Sequence, residues 1–251
     1  VRELVEILGI KIDRVNMQEA VEKVEILLKK DAGPAEKPAY IVTPNSEMIV
    51  MSVDDKELTS ILNSAYLSTP DGAGVVLAAK IMGTPLIERV AGFDLLSRLI
   101  EEFAEKEYSF YFLGSRPGVV DKAVVKLKRD YPQLNIAGYH HGYLDRELQE
   151  KVISEINKKN VDLLLVGMGV PLQERFIGKN IENLNVGAAM TVGGSFDVIA
   201  GEVNRAPLWM QKVGLEWFYR LLQEPSRFGR MLALPRFILL VLRERFLGRR
   251  T

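Results

Sequence analysis

Between residues 108 and 194 apolar runs alternate with amphipathic stretches. YSFYFLGS, LNIAGYHHGYL, VDLLLVGMG and VGAAMTVGG read as strands, and PGVVDKAVVKLKRDYP, LQEKVISEINKKN and QERFIGKNIENL between them read as helices. This alternation builds βα units and a mostly parallel sheet. The strand DLLLVGM is apolar at successive positions rather than at every second one, which fits a sheet covered by helices on both faces. Sheets of this kind bind ligands beyond the carboxyl ends of their strands. There the sequence places its polar clusters, Thr43-Pro44-Asn45, Thr69-Pro70-Asp71, Gly114-Ser115-Arg116 and Gly167-Met168-Gly169.

The flanking segments extend the pattern. ILGIKIDRV reads as one strand, and NMQEAVEKVEILLKKD as a helix capped by Asn16 with Met17, Ala20, Val21, Val24, Leu27 and Leu28 at helical spacing. AYIVTPN and AYLSTPDG are short strands with polar ends. Residues 46–64 read as a helix broken near Asp54-Asp55, and residues 73–82 as a helix stopped by Gly83-Thr84-Pro85. After Gly201 the character changes. Pro207 opens a helix running to about Gln223, Pro225 interrupts it, and PRFILLVLRERFLGRR forms another, apolar along one side. The expected organisation is an α/β catalytic core over residues 1–200 and a helical, basic C-terminal appendage over residues 201–251.

Composition limits the function. The 251 residues are 47% hydrophobic and 26% charged, as in an ordinary globular protein. The absence of Cys excludes disulfides and thiolate metal sites and fits a reducing compartment. The sequence has no basic-then-apolar leader, and its longest apolar candidate, Phe237 to Leu242, falls far short of the roughly 20 residues of a membrane span. The net charge is zero, yet from Arg205 onward ten basic residues oppose three acidic ones, leaving +7 in the tail and −7 elsewhere. That asymmetry suggests an anionic partner: membrane surface, phosphate or nucleic acid. Nine of the ten are Arg, which favours forked contacts to phosphate.

Single motifs leave two readings open. Asp71, in TPDG, is either a turn residue bonding its own backbone or an ionised carboxylate able to take a proton from a hydroxyl. GSRPG at 114–118 is either a tight βα turn or a phosphate cradle. In VGMGVPLQE at 166–174, Gln173 offers an amide to a sugar or merely opens a helix. Arg89, among apolar neighbours, either faces a cavity with a partner or lies exposed on a loop. Asp197 either caps a helix or binds. His140 and His141 are expected to point to opposite faces of a strand. No HxxxH, HExxH or Asp-x-Asp pattern occurs, so no protein-built metal site is expected. The absence of GxGxxG argues against a nucleotide-dependent oxidoreductase.

Together the stretches TPN (43–45), TPDGAGVV (69–76), ERVAGFDL (88–95), FLGSRPGV (112–119), GYHHGY (138–143), VGMGVPLQE (166–174) and the long run from Val192 to Arg227 resemble the WecG/TagA/CpsF glycosyltransferases. The resemblance covers about residues 10–230. It implies a modified Rossmann-like core and an inverting transfer of an N-acetylmannosamine-type sugar from UDP to a lipid-diphosphate-linked GlcNAc. The wall teichoic acid branch fits best, with a uronic-acid donor as the nearest competitor. On this reading Asp71 is the base. Thr43, Asn45 and Gln173 position sugar and acceptor, and Arg89, Arg220, Arg227 and Arg230 neutralise diphosphate without a cofactor or metal. The implied partners are the UDP-sugar, a polyprenyl-diphosphate acceptor and the inner face of the cytoplasmic membrane, touched by the appendage, with no nucleic acid. The apolar run beside arginines would pack on the core, or on lipid, or favour a homo-oligomer that hides the site.

Overall fold

A computed structural model describes residues 2–29, 38–225 and 228–248. Six parallel strands make the central sheet: β3 (Ala39–Val42), β4 (Leu67–Ser68), β5 (Ser109–Gly114), β6 (Asn135–His140), β7 (Val161–Gly167) and β8 (Val186–Thr191). Their spatial order is β4-β3-β8-β7-β5-β6. An antiparallel hairpin of β1 (Leu4–Ile7) and β2 (Ile10–Asp13) stands beside it. The single strand expected over ILGIKIDRV is therefore two strands, reversed at Leu8 and Gly9, both with positive φ.

Helices cover both sheet faces, and the strand side chains divide between them. Tyr111 and Leu113 of β5 and Leu164 and Val166 of β7 enter one apolar cluster. Phe110, Phe112, Leu163 and Leu165 enter the other. All eight are fully buried, which accounts for strands that are apolar at successive positions. On the first face lie α2 (Ser46–Val53), α3 (Lys56–Ser64), α4 (Ala73–Met82), α7 (Arg146–Lys158) and α8 (Leu172–Asn180). On the second lie α1 (Met17–Leu28), α5 (Gly92–Phe103), α6 (Val119–Asp130) and α9 (Ser195–Ala200). Helix α1 begins at Asn16, whose side chain accepts from the Glu19 N–H while Glu19 reaches back, a reciprocal cap. The break expected near Asp54-Asp55 separates α2 from α3, with Asp55 capping the latter. Helix α5 was not evident from sequence; it starts on Gly92 without a side-chain cap.

The chain leaves β3 toward α2 on one face and leaves the neighbouring β8 toward α9 on the other. This divergence opens a crevice at the carboxyl ends of the two strands, where open α/β sheets bind ligands.

Beyond Gly201 the described residues form the helices α10 (Leu208–Lys212), α11 (Glu216–Gln223), α12 (Phe228–Met231) and α13 (Ala233–Leu247). The helix expected from Pro207 to Gln223 is thus split, at Gly214, whose φ is +75°. Helix α13 lies against α2 and α4, with Phe237 and Val241 fully buried. Leu239 on its other side is 68% exposed, and Phe246 is exposed with it. The run from Phe237 to Leu242 therefore packs on the core with one side only. Among the described residues no helix is long and apolar enough to cross a membrane.

Replacing a buried Phe by Ala removes transfer free energy and leaves a cavity, together roughly 3–5 kcal/mol. Phe237→Ala is expected to destabilise the protein by about that amount in urea unfolding. Leu239→Ala, on the open side of the same helix, is expected to change it by less than about 0.5 kcal/mol.

Candidate active site

The crevice holds a cavity of about 500 Å³. Its floor comes from the loops after β3, β4 and β8 (Thr43 and Asn45, Asp71 to Gly74, Val192 to Ser195), and its roof from the appendage, including Glu216, Arg220, Arg230 and Leu234. Asp71, Arg89, Thr43, Asn45, Gln173, Arg220 and Arg230, expected from sequence to act together, all line it. Arg227 lies outside the described residues.

Asp71 stands on a pinned loop. The Thr69 N–H donates to the Val42 carbonyl (3.0 Å), the Asp71 N–H to the Pro44 carbonyl (3.2 Å), and the Val90 N–H to the Pro70 carbonyl (3.0 Å). Its carboxylate does not cap its own turn. Oδ2 accepts instead from the N–H of Gly92, 3.3 Å away and 21 residues on. Gly92 is required there, because a Cβ would stand 2.8 Å from Thr43 Oγ1. Gly72, with φ +90°, then turns the chain into α4. Burial pushes the Asp71 carboxyl up to about 6; Glu216 adds to the rise, while the Gly92 N–H, Arg89 and Arg220 oppose it.

Thr43 is buried against Gly92. Asn45 Oδ1 caps α2 by accepting from the Met48 N–H at 3.0 Å, so its oxygen is committed to the helix. Gln173 is buried too. Its Oε1 accepts from the Gly193 N–H (2.9 Å) and its Nε2 donates to Glu174 Oε1 (2.6 Å). Gln173 thus ties α8 to the loop after β8, where Gly193 has φ +54°.

The arginines are partly committed. Arg89 reaches Glu216 Oε2 at 3.1 Å and Asp94 Oδ2 at 3.3 Å, so it has partners and faces the cavity. Arg230 bonds Glu47 Oε1 at 2.6 Å. Arg205, which sequence reading counted only as tail charge, also lines the cavity, with its guanidinium 4.7 Å from the centre of the Phe93 ring. Among the described lining residues four guanidiniums, on Arg89, Arg205, Arg220 and Arg230, face three carboxylates, on Asp71, Glu47 and Glu216.

Other motifs lie elsewhere. None of GSRPG lines the cavity; the Ser115 hydroxyl donates to Asp197 Oδ1 (3.1 Å), which assigns Asp197 a loop contact. His140 and His141 do not point apart: β6 ends at His140, and their ring centres are 4.3 Å from each other. Among the described residues no group of three or more His, Asp or Glu side chains is placed to hold a metal.

The family model described as Glycosyl transferase WecG/TagA/CpsF family matches residues 5–251. A Bacillus spizizenii protein named N-acetylglucosaminyldiphosphoundecaprenol N-acetyl-beta-D-mannosaminyltransferase is 38% identical over 208 residues, covering 83% of this chain and 80% of its own length. Proteins of the same name from Bacillus subtilis strain 168 and Staphylococcus aureus strain MW2 are 37% and 32% identical. The Bacillus subtilis match covers 82% of this chain and 80% of the relative. The Staphylococcus aureus match covers 93% and 90%.

Glu174, in the first turn of α8, is fully buried, and its Oε2 has no hydrogen-bond partner among the described residues. Burial pushes its carboxyl up to about 7, and the Gln173 amide only partly offsets this. A folded-state value above the unfolded one stabilises at low pH, and that contribution fades as pH rises through the folded value. Glu174→Gln, which keeps the shape without the charge, is therefore expected to raise Tm relative to the parent at pH 8 and to change it little at pH 4, as read by thermal melts across that range.

Proposed function

Because this chain belongs to the WecG/TagA/CpsF glycosyltransferase family, we propose that it moves N-acetylmannosamine from UDP to the GlcNAc of an undecaprenyl-diphosphate-linked acceptor, inverting the anomeric carbon. The sugar and acceptor are those in the names of the Bacillus and Staphylococcus relatives. The observation that carries the mechanism is Asp71: a carboxylate lining the cavity, raised toward neutrality, among arginines from both core and appendage.

In the proposed step the acceptor hydroxyl gives its proton to Asp71 as its oxygen bonds to the sugar's anomeric carbon. The bond from that carbon to the UDP oxygen breaks on the opposite side. A base with a value near the working pH takes a proton effectively while still largely ionised. Charge gathers on the departing diphosphate, and arginines in a recessed site stabilise it more than they would in water. Arg220 suits this role best: it lines the cavity, acts on Asp71, and among the described residues is paired with no carboxylate. Thr43 and Asn45 would orient the sugar. Gln173 would hold the Gly193 loop against it.

The appendage supplies both the roof of the site and an outward apolar surface. Trp209, Phe218 and Phe228 are exposed on α10 to α12, and Leu239 and Phe246 on α13. Aromatic rings of this kind suit the headgroup level of a bilayer, so the appendage would rest on the inner face of the cytoplasmic membrane, where the lipid-linked acceptor lies.

The test is UDP release from several UDP-HexNAc donors with a short-chain lipid-diphosphate-GlcNAc. Asp71→Asn is expected to lower turnover at least ~100-fold; a near-normal rate would remove Asp71 from the role of base, and a parent that releases no UDP would be a non-catalytic membrane adaptor. The base must be deprotonated to act, so kcat/KM is expected to fall as pH drops below about 6.

A further inference from the structure

We infer that Glu216 is a positioning residue of this active site: its carboxylate bridges Arg89 and Arg205 and thereby holds α11, with Arg220, over Asp71. The inference rests on the proposed transferase reading and names what keeps its site assembled.

Four side chains form a closed ring of alternating charge. Asp94 meets Arg89 through Oδ2 at 3.3 Å and Arg205 through Oδ1 at 2.6 Å. Glu216 meets Arg89 through Oε2 at 3.1 Å and Arg205 through Oε1 at 3.6 Å. All four side chains are between 20% and 31% exposed, so solvent screens the ring less than it screens open surface pairs. Arg89 and Asp94 belong to the core, and Arg205 to the connection that leaves it. Glu216 alone comes from the appendage helices, as the first residue of α11.

Apolar packing does not explain why α11 stays where it is, because none of its residues is buried. Phe218 and Leu222 face solvent, and Trp217 lines the cavity. The ring ties the first turn of α11 to the core, while Gln223 at its other end exchanges two hydrogen bonds with the Asn204 backbone (3.0 and 2.9 Å). Arg220 follows Glu216 by four residues, so the two share one helix face, and holding Glu216 places Arg220 at the cavity. A carboxylate on the first residue of a helix also meets the positive end of the helix dipole.

Glu216 also acts on the base. The groups facing Asp71 are the Gly92 N–H, Arg89 and Arg220, which favour its charged form, and Glu216, which opposes it. Neutralising Glu216 should therefore move the acid limb of the rate profile to lower pH. A purely structural role would leave that limb in place.

The experiment uses the full chain with Glu216→Gln, Arg205→Gln and the double variant. Amide hydrogen exchange over residues 216–223 reads the tie without reference to activity, and UDP release across pH reads the chemistry. Each single variant is expected to speed exchange about 10-fold, the signature of easier local opening, and to lower kcat by a similar factor. Glu216→Gln is expected to shift the acid limb downward as well. The double variant should be little worse than either single one, because both break one ring. Unchanged exchange, an unmoved acid limb or fully additive losses would overturn the inference. A parent protein that transfers from no UDP-HexNAc overturns the transferase reading instead, and the exchange measurement alone then judges the tie.

Discussion

A sheet buried on both faces has almost nowhere to carry polar chemistry except past the ends of its strands. Phe110 and Tyr111, successive residues of β5, enter opposite apolar clusters, and neither face has room for a site. The chain's polar residues therefore collect where β3 and β8 send their next helices to opposite sides. Thr43, Asn45, Asp71 and Gly193 meet there because backbone hydrogen bonds pin one loop to the next, from Val42 to Thr69, Pro44 to Asp71 and Pro70 to Val90. The position of the Asp71 carboxylate follows from the backbone, and its raised value follows from the depth at which the backbone leaves it.

Charge in the cavity is closely matched. A recess with several bare guanidiniums would repel its own roof. Here Arg89 and Arg205 lean on Asp94 and Glu216, and Arg230 leans on Glu47. An arginine held by a carboxylate keeps further N–H groups for a phosphate oxygen, and its planar head is already oriented. The arrangement exchanges raw positive charge for fixed geometry, which suits stabilisation of charge that develops only as the leaving group departs.

Much of this was legible in the residues, and the parts that were not share a cause. Helix α4 and the β7–α8 unit follow from local periodicity, and the break between α2 and α3 from Asp54-Asp55. The hairpin escaped because Leu8-Gly9 lacks the Asn-Gly or Asp-Gly signal of a tight turn. The expected divergence of His140 and His141 failed because the strand stops between them. TPDG pointed to Asp71, but the Gly92 contact and the burial are tertiary. Arg89 and Glu216 are 127 residues apart in sequence, and no local pattern announces their pairing. Glu174 sits where a first-turn acid is ordinarily solvated, and only packing of α8 on the sheet reveals it as buried. The family resemblance gathered the site residues; the ring of charges around them had to be seen in three dimensions.

Helix α13 carries one further implication. Its inner side chains, Phe237 and Val241, press on α2 and α4, and the first turns of those two helices line the cavity that holds Asp71. Outer surface and carboxylate thus hang from one stiff bracket. Whatever loads the open side of α13 bears on the mouth of the crevice without touching a reactive atom.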